Sequence, residues 1–212
     1  NTYTVNFQTD GTPGAILNGE TTQTVTHGSN CTTVSVTVPA GFYFAKWKTA
    51  QARDYSIDNP VTAKNVTSDM TLIASFVQIP AGKYVVVFFS TINGTITGET
   101  TQFIDPNGST SAVTAVPDTG YHFNKWTRNS VDFSTENPLI ANNVNQNMTI
   151  CADIEINTYE VAFLADANGS LTSQSGQSGQ KIVFSVQHGT STTAVIAVPN
   201  TGYHFADWTG SL

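Results

Sequence analysis

The residues able to do chemistry are few in this chain, and their spacing argues against a reaction centre. Four histidines occur: His27, His122, His188 and His204. None falls at the short paired spacing with which a helix or knuckle presents two imidazoles to zinc. His122 and His204 share one context, Gly-Tyr-His-Phe, and the matching context around Gly41 has Tyr43 instead. A ligand is not ordinarily exchanged for tyrosine, so no metal site is expected. Fifteen carboxylates are spread along the chain. Two of them on facing elements could act as acid and base on a glycoside. Such a pair needs a pocket, and small modules have little interior to form one. No nucleophile elbow or phosphate loop appears. The expectation is no enzyme, no catalytic residue and no cofactor.

Other reactive groups read the same way. Cys31 and Cys151 cannot make a disulfide scaffold, and they stand at non-equivalent positions, so two unpaired thiols are expected. Asp105-Pro106-Asn107-Gly108 and Asp166-Ala167-Asn168-Gly169 lack the oxygen spacing of a calcium loop and read as turns. A Lys–Asn cross-link from Lys83 would repeat its lysine, but Thr2 and Thr158 stand at the equivalent places. The Asn-x-Ser/Thr triplets follow from the abundance of these residues and carry no glycosylation reading.

The aromatic residues carry the strongest pattern. Val38-Pro39-Ala40-Gly41-Phe42-Tyr43-Phe44-Ala45-Lys46-Trp47 returns as Val116-Pro117-Asp118-Thr119-Gly120-Tyr121-His122-Phe123-Asn124-Lys125-Trp126. It returns again as Val198-Pro199-Asn200-Thr201-Gly202-Tyr203-His204-Phe205-Ala206-Asp207-Trp208. Each of the three Trp sits six residues after a glycine. Two further anchors support the repeat. A strand opener recurs at Thr2-Tyr3-Thr4-Val5-Asn6-Phe7, Lys83-Tyr84-Val85-Val86-Val87-Phe88 and Thr158-Tyr159-Glu160-Val161-Ala162-Phe163. Asp58-Asn59-Pro60 before Met70-Thr71-Leu72 matches Glu136-Asn137-Pro138 before Met148-Thr149-Ile150. The third copy lacks this last anchor and reads as incomplete.

These aromatics admit two uses. Ring faces suit a sugar, and each large ring also removes roughly 150–250 Å² from water in a small core. Phe44, Phe123, Phe205 and the three Trp are assigned to cores. Tyr43, Tyr121, His122, Tyr203 and His204 are the candidate exposed ligand contacts. Strict alternation would put Phe123 and Trp126 on opposite faces, so a bulge between them is predicted.

The elements that must position these residues are strands. Tyr3, Val5 and Phe7 alternate with Thr4 and Asn6, the period of a half-buried strand. Thr32 to Val38, Phe42 to Trp47 and Thr71 to Val77 read as further strands, and the segment around 48–58 reads as a loop. Asn93-Gly94 reads as a hairpin turn. Each module is expected to hold four to five strands and no helix. Charged residues make up 11%, against roughly 25% in average globular proteins. The net charge is −7 with eight scattered Lys and Arg, which excludes the basic patch of a nucleic-acid groove. No apolar run reaches the length of a membrane span. No leader pattern precedes the first strand, which reads as a mature fragment.

The Gly-Tyr-x-Phe-x-x-Trp and Met70-Thr71-Leu72-Ile73-Ala74-Ser75-Phe76 motifs resemble the divergent internalin-type B-repeat modules of bacterial surface proteins. The resemblance implies an all-β chain of tandem small modules, similar to a β-grasp fold, in an elongated arrangement. The modules are read as 1–79, 80–156 and 157–212. It implies an extracellular or cell-surface location and a structural, spacer or stalk role with a contribution to adhesion. The alternatives are a carbohydrate- or protein-binding module, or an accessory region of an extracellular enzyme. Partners on those readings are a cell-surface polysaccharide or a host or partner protein.

Overall fold

The computed structural model describes residues 1–210, whose regular structure is all strand. The chain forms two compact units, Asn1–Glu155 and Ile156–Leu212.

The first repeat supplies β1 (Thr2–Thr9), β2 (Ile16–Asn18), β3 (Thr22–Thr26), β4 (Ser35–Thr37), β5 (Phe42–Thr49), β6 (Asp54–Ser56) and β7 (Met70–Gln78). Five of them make a sheet in the order β3-β1-β7-β5-β6, and β2 pairs with β4 in a second small sheet. β1 and β7 run parallel at the sheet centre, with Phe7 beside Leu72 and Thr9 beside Ala74. The alternation expected of β1 holds: Val5 and Phe7 are buried in the core with Trp47, Leu72 and Ala74.

The second repeat reproduces this arrangement with β8 (Tyr84–Ser90), β9 (Gly94–Thr97), β10 (Thr101–Ile104), β11 (Thr114–Pro117), β12 (Tyr121–Arg128), β13 (Val131–Ser134) and β14 (Met148–Ile156). Its sheet runs β10-β8-β14-β12-β13, with β9 and β11 paired separately. Phe88 lies beside Ile150 as Phe7 lies beside Leu72. The parallel central pair agrees with the β-grasp likeness in strand order, although no helix crosses the sheet among the described residues.

Three local expectations change. Each of these repeats has seven strands, not four to five. The polar segment after Trp47 is not all loop, because β6 returns along β5 and pairs Trp47 with Ser56. Asn93-Gly94 does not join a hairpin, since β8 pairs with β10 and β9 with β11. Glycine is required at 94 by close approach: a Cβ there would stand 2.5 Å from Ile154 Cδ1 and 2.7 Å from the Val116 carbonyl. The bulge is present where β5 meets β7, with a register shift between Phe44 and Lys46. It brings Phe44 and Trp47 to a centroid separation of 6.0 Å.

β8 differs from its counterparts because both of its faces are buried. Val86 and Phe88 enter the core of the second repeat. Val85 and Val87 turn the other way and pack with Ala45, Tyr43, Val77 and Ile79 of the first repeat. A strand covered on both faces reads as an unbroken apolar run, and Val85-Val86-Val87-Phe88-Phe89 is such a run.

The second unit contains β15 (Thr158–Leu164), β16 (Gly169–Ser173), β17 (Ser178–Gly179), β18 (Lys181–Gln187) and β19 (Val195–Pro199). β15 pairs with β18, and β16 pairs with β17 and β19. Residues 203–210 follow without strand structure, and no counterpart of β7 or β14 occurs among the described residues. Phe205 and Trp208, expected in a core, are 45% and 49% exposed. The physical reason is that the strand that covers Trp47 and Trp126 in the other repeats has no equivalent among the described residues of this unit.

Candidate functional site

The aromatic strand is held in the first two repeats by the Asn-Pro and Met-Thr anchors. Trp47 donates its indole N–H to the Asp58 carbonyl, and Trp126 donates to the Glu136 carbonyl, both at 3.0 Å. The next residue clasps the small sheet. Asn59 accepts from the Val36 amide and donates to the Val36 carbonyl, each at 2.9 Å. Asn137 does the same to Ala115. The Asn59–Pro60 and Asn137–Pro138 peptide bonds are cis. The residue before each methionine accepts from the opener strand: Asp69 from the Thr4 amide and Asn147 from the Val85 amide. One short anchor therefore satisfies the Trp N–H, a sheet edge and an opener amide. Buried polar groups left without partners would each cost about 1–3 kcal/mol.

A buried glutamine completes the lock. Gln23 donates to the carbonyls of Glu20 and Thr32 and accepts from the Thr32 amide. Gln102 repeats this with Glu99 and Ser111. Sequence reasoning missed both glutamines. Their signal was a Gln in the same place of each second opener-paired strand, β3 and β10.

The five candidate ligand contacts are not brought together. Tyr43 is half-buried at the junction of the first two repeats, where its hydroxyl lies 3.1 Å from Thr149 Oγ1. Tyr121 is half-buried against the second core, and His122 is exposed beside it. Tyr203 and His204 lie in the second unit, on a cleft of about 360 Å³ that they line with Phe205, Trp208, Leu164 and Leu171. Trp208 of that cleft also meets Phe163 edge to face, with ring centroids 5.8 Å apart at 78°. A cleft of about 320 Å³ in the first unit is lined by Lys46, Arg53 and Asp54 against Ser90, Thr91 and Thr95. Lys46 is paired there with Asp54 at 2.6 Å.

Titratable groups point to packing. Both thiols are free. Burial, with the Asp58 charge added, pushes the Cys151 thiol up to about 12. Burial alone raises Cys31. Neither thiol is thereby made a nucleophile, since the thiolate is the reactive form. Burial also pushes Asp10 upward, but hydrogen bonds from the Thr12 hydroxyl and from the Phe76 and Thr12 amides outweigh it. Together with the Lys48 charge they hold its carboxyl below the usual value. Lys83 is ion-paired with Asp105 at 3.0 Å. No group of three or more His, Cys, Asp or Glu able to hold a metal ion occurs among the described residues. No helix there is long and apolar enough to cross a membrane.

Residues 84–155 and 159–212 match the Divergent InlB B-repeat domain. The chain belongs to the divergent InlB B-repeat family. Residues 3–75 match the related description Listeria-Bacteroides repeat domain, so all three repeats of this B-repeat chain are recognised. It is a repeat region of the type found in surface proteins. No curated protein and no solved structure matches the chain.

Proposed function

We propose that this B-repeat region is a spacer, or stalk, of a bacterial cell-surface or secreted protein, lying outside the cell and divided into modules 1–79, 80–156 and 157–212. The observation that carries the reading is the junction of the first two modules. Val85 and Val87 of β8 are buried against Ala45 of β5, and the Tyr43 hydroxyl reaches Thr149. A spacer needs modules that do not fold back or swing freely. An apolar junction supplies that stiffness, because bending would return buried surface to water. Trp47 and Trp126 are fully buried in the two cores and Tyr43 is spent on this junction, while Phe103 and Phe133 stay exposed.

A second reading, binding of a polysaccharide or partner protein, is favoured by one observation: Tyr203, Phe205 and Trp208 are about half exposed together in the second unit. The two readings separate on a glycan array. The spacer predicts no saturable binding by the 212-residue chain. Binding that is lost on Tyr121→Ala and Tyr203→Ala overturns it. A matching assay with beads coated in the chain reports adhesion to cells, and strong adhesion would move the stalk reading to a binding one.

A further inference from the structure

The cleft at the junction of the first two repeats has a charge of its own, and two positions create it. One wall comes from the first repeat, with Lys46, Arg53 and Asp54, and the other from the second, with Ser90, Thr91 and Thr95. Lys46 and Asp54 are ion-paired at 2.6 Å, and Lys125 and Asp132 make the same pair in the second repeat at 2.8 Å. That pair belongs to the repeat, but Arg53 does not. Trp47 pairs with Ser56 and Trp126 with Ser134. Arg53, three residues before Ser56, therefore has Val131 as its counterpart. Val131 is 66% exposed, so the fold makes no demand for arginine at this place. Arg53 forms no ion pair among the described residues.

The facing wall lacks a carboxylate that the other repeats carry. Seven residues after the opener tyrosine stand Asp10 in the first repeat and Asp166 in the third, but Thr91 in the second. Asp10 accepts from the Thr12 and Phe76 amides, and Asp166 accepts from the Asn168 amide. Thr91 brings a neutral hydroxyl to the same place, on the wall that the second repeat gives the cleft. The lining then holds two cations and one carboxylate, and Lys46 already takes that carboxylate. Asp58, whose charge reaches Cys151, does not line the cleft. In a chain of net charge −7, the cleft thus carries an excess of positive charge, which low-dielectric walls focus. Ser90 is 5% exposed, and its hydroxyl donates to the Thr91 carbonyl at 3.3 Å. That bond is long, and a hydroxyl rotates toward a stronger acceptor.

We propose that this cleft of about 320 Å³ is a phosphate site that clips the first repeat to the second. The Arg53 guanidinium presents a fork of N–H donors that matches the oxygens of a phosphate group. The hydroxyls of Ser90, Thr91 and Thr95 donate from the other repeat. A tetrahedral oxyanion directs oxygens to both walls at once, whereas a planar carboxylate serves one. Thr91 leaves free the charge position that an aspartate fills in the other two repeats, and the phosphate supplies that charge from outside the chain. The result is a polar clasp beside the apolar contact of Val85 and Val87 with Ala45. The inference stands whether or not the stalk reading does, since it is read at the cleft itself.

The test is an NMR titration of the isotope-labelled 212-residue chain with inorganic phosphate, against sodium chloride of matched ionic strength. Saturable shifts of the Arg53, Thr91 and Thr95 amides are expected. The melting temperature of the first unit should rise with them, because a ligand of the folded state stabilises it. Arg53→Val, which copies Val131, should keep the fold and weaken binding about tenfold or more, as loss of a charge-assisted contact does. Thr91→Asp, which copies Asp10 and Asp166, should abolish the phosphate response by repulsion. Glycerol phosphate in a parallel arm distinguishes the source: tighter binding than the free ion marks a phosphate ester, and weaker binding marks the free ion. The proposal is overturned if chloride or acetate reproduces the shifts, or if no amide of the cleft moves. It is overturned equally if Arg53→Val binds phosphate as well as the parent chain does.

Discussion

Trp126 and Trp208 hold the same place in the repeat, yet one is fully buried and the other is about half exposed. The residues around them are nearly the same: Gly-Tyr-His-Phe precedes both. The difference lies in what arrives later in the chain. Trp126 is covered by β14 and donates to the Glu136 carbonyl. For Trp208 neither partner exists among the described residues, and the aromatic segment does not even become a strand. The comparison teaches that the Gly-Tyr-x-Phe-x-x-Trp motif does not fold by its own propensity. A strand at a sheet edge is stabilised by what it pairs with and packs against.

The largest expected effect tests that contrast directly. Trp126→Ala should destabilise the first unit by about 3–5 kcal/mol, the range for emptying a core of a large aromatic. Trp208→Ala should cost under about 1.5 kcal/mol, because half of its surface never leaves water. Urea unfolding of each variant checks both values. If the two costs are equal, the distinction between the covered and uncovered repeat fails.

The junction gives the next effect. Val87→Asp would place a carboxylate without a partner between the first two repeats and should cost about 3 kcal/mol, the lower end for an uncompensated buried charge. Ala162 is the counterpart of Val87 in β15 and is exposed. Ala162→Asp should change stability by less than about 0.5 kcal/mol. Thermal unfolding followed by circular dichroism would sharpen this pair, since loss of the junction should also separate one transition of the first unit into two.

Gly94 and Gly169 make a smaller contrast. A methyl at 94 meets Ile154 and a carbonyl below 3.0 Å, whereas at 169 the nearest atom is the Val198 carbonyl at 3.1 Å. Gly94→Ala should cost about 1–3 kcal/mol by overpacking, and Gly169→Ala clearly less.

The smallest effect concerns pH. The Asp10 carboxyl is held below its usual value in the folded chain. Its contribution is therefore complete above the unfolded value of 3.8 and is lost as pH falls through the lower, folded value. Asp10→Asn should flatten the acid limb of the stability profile of the first unit, read from urea unfolding at a series of pH values.

Much of the fold was legible in the residues, for physical reasons that can be named. Tyr3, Val5 and Phe7 spell a one-sided strand because side chains alternate along an extended chain. The predicted bulge followed from the poor fit of a Trp to a solvent face. Other features were hidden because they depend on partners distant in sequence. Asn59 and Asn137 were visible as an anchor, but their clasp on Val36 and Ala115 crosses 23 and 22 residues. Asn93-Gly94 looked like a hairpin because local turn chemistry cannot say which strands flank it in space. The candidate contact Tyr43 could not be told from Tyr121 or Tyr203, since burial at a junction depends on the neighbouring repeat.

The sequence by itself determined the repeat, its strand content and the identity of the residues that fill each core, because all three depend on local period and on recurrence. Only the tertiary structure decided that the opener and the last strand lie side by side and parallel. It also decided that β8 is covered on both faces and that one of three equivalent aromatic segments stands uncovered among the described residues. Those outcomes depend on which surfaces meet across the chain, and a strand's own residues set its faces but not its neighbours.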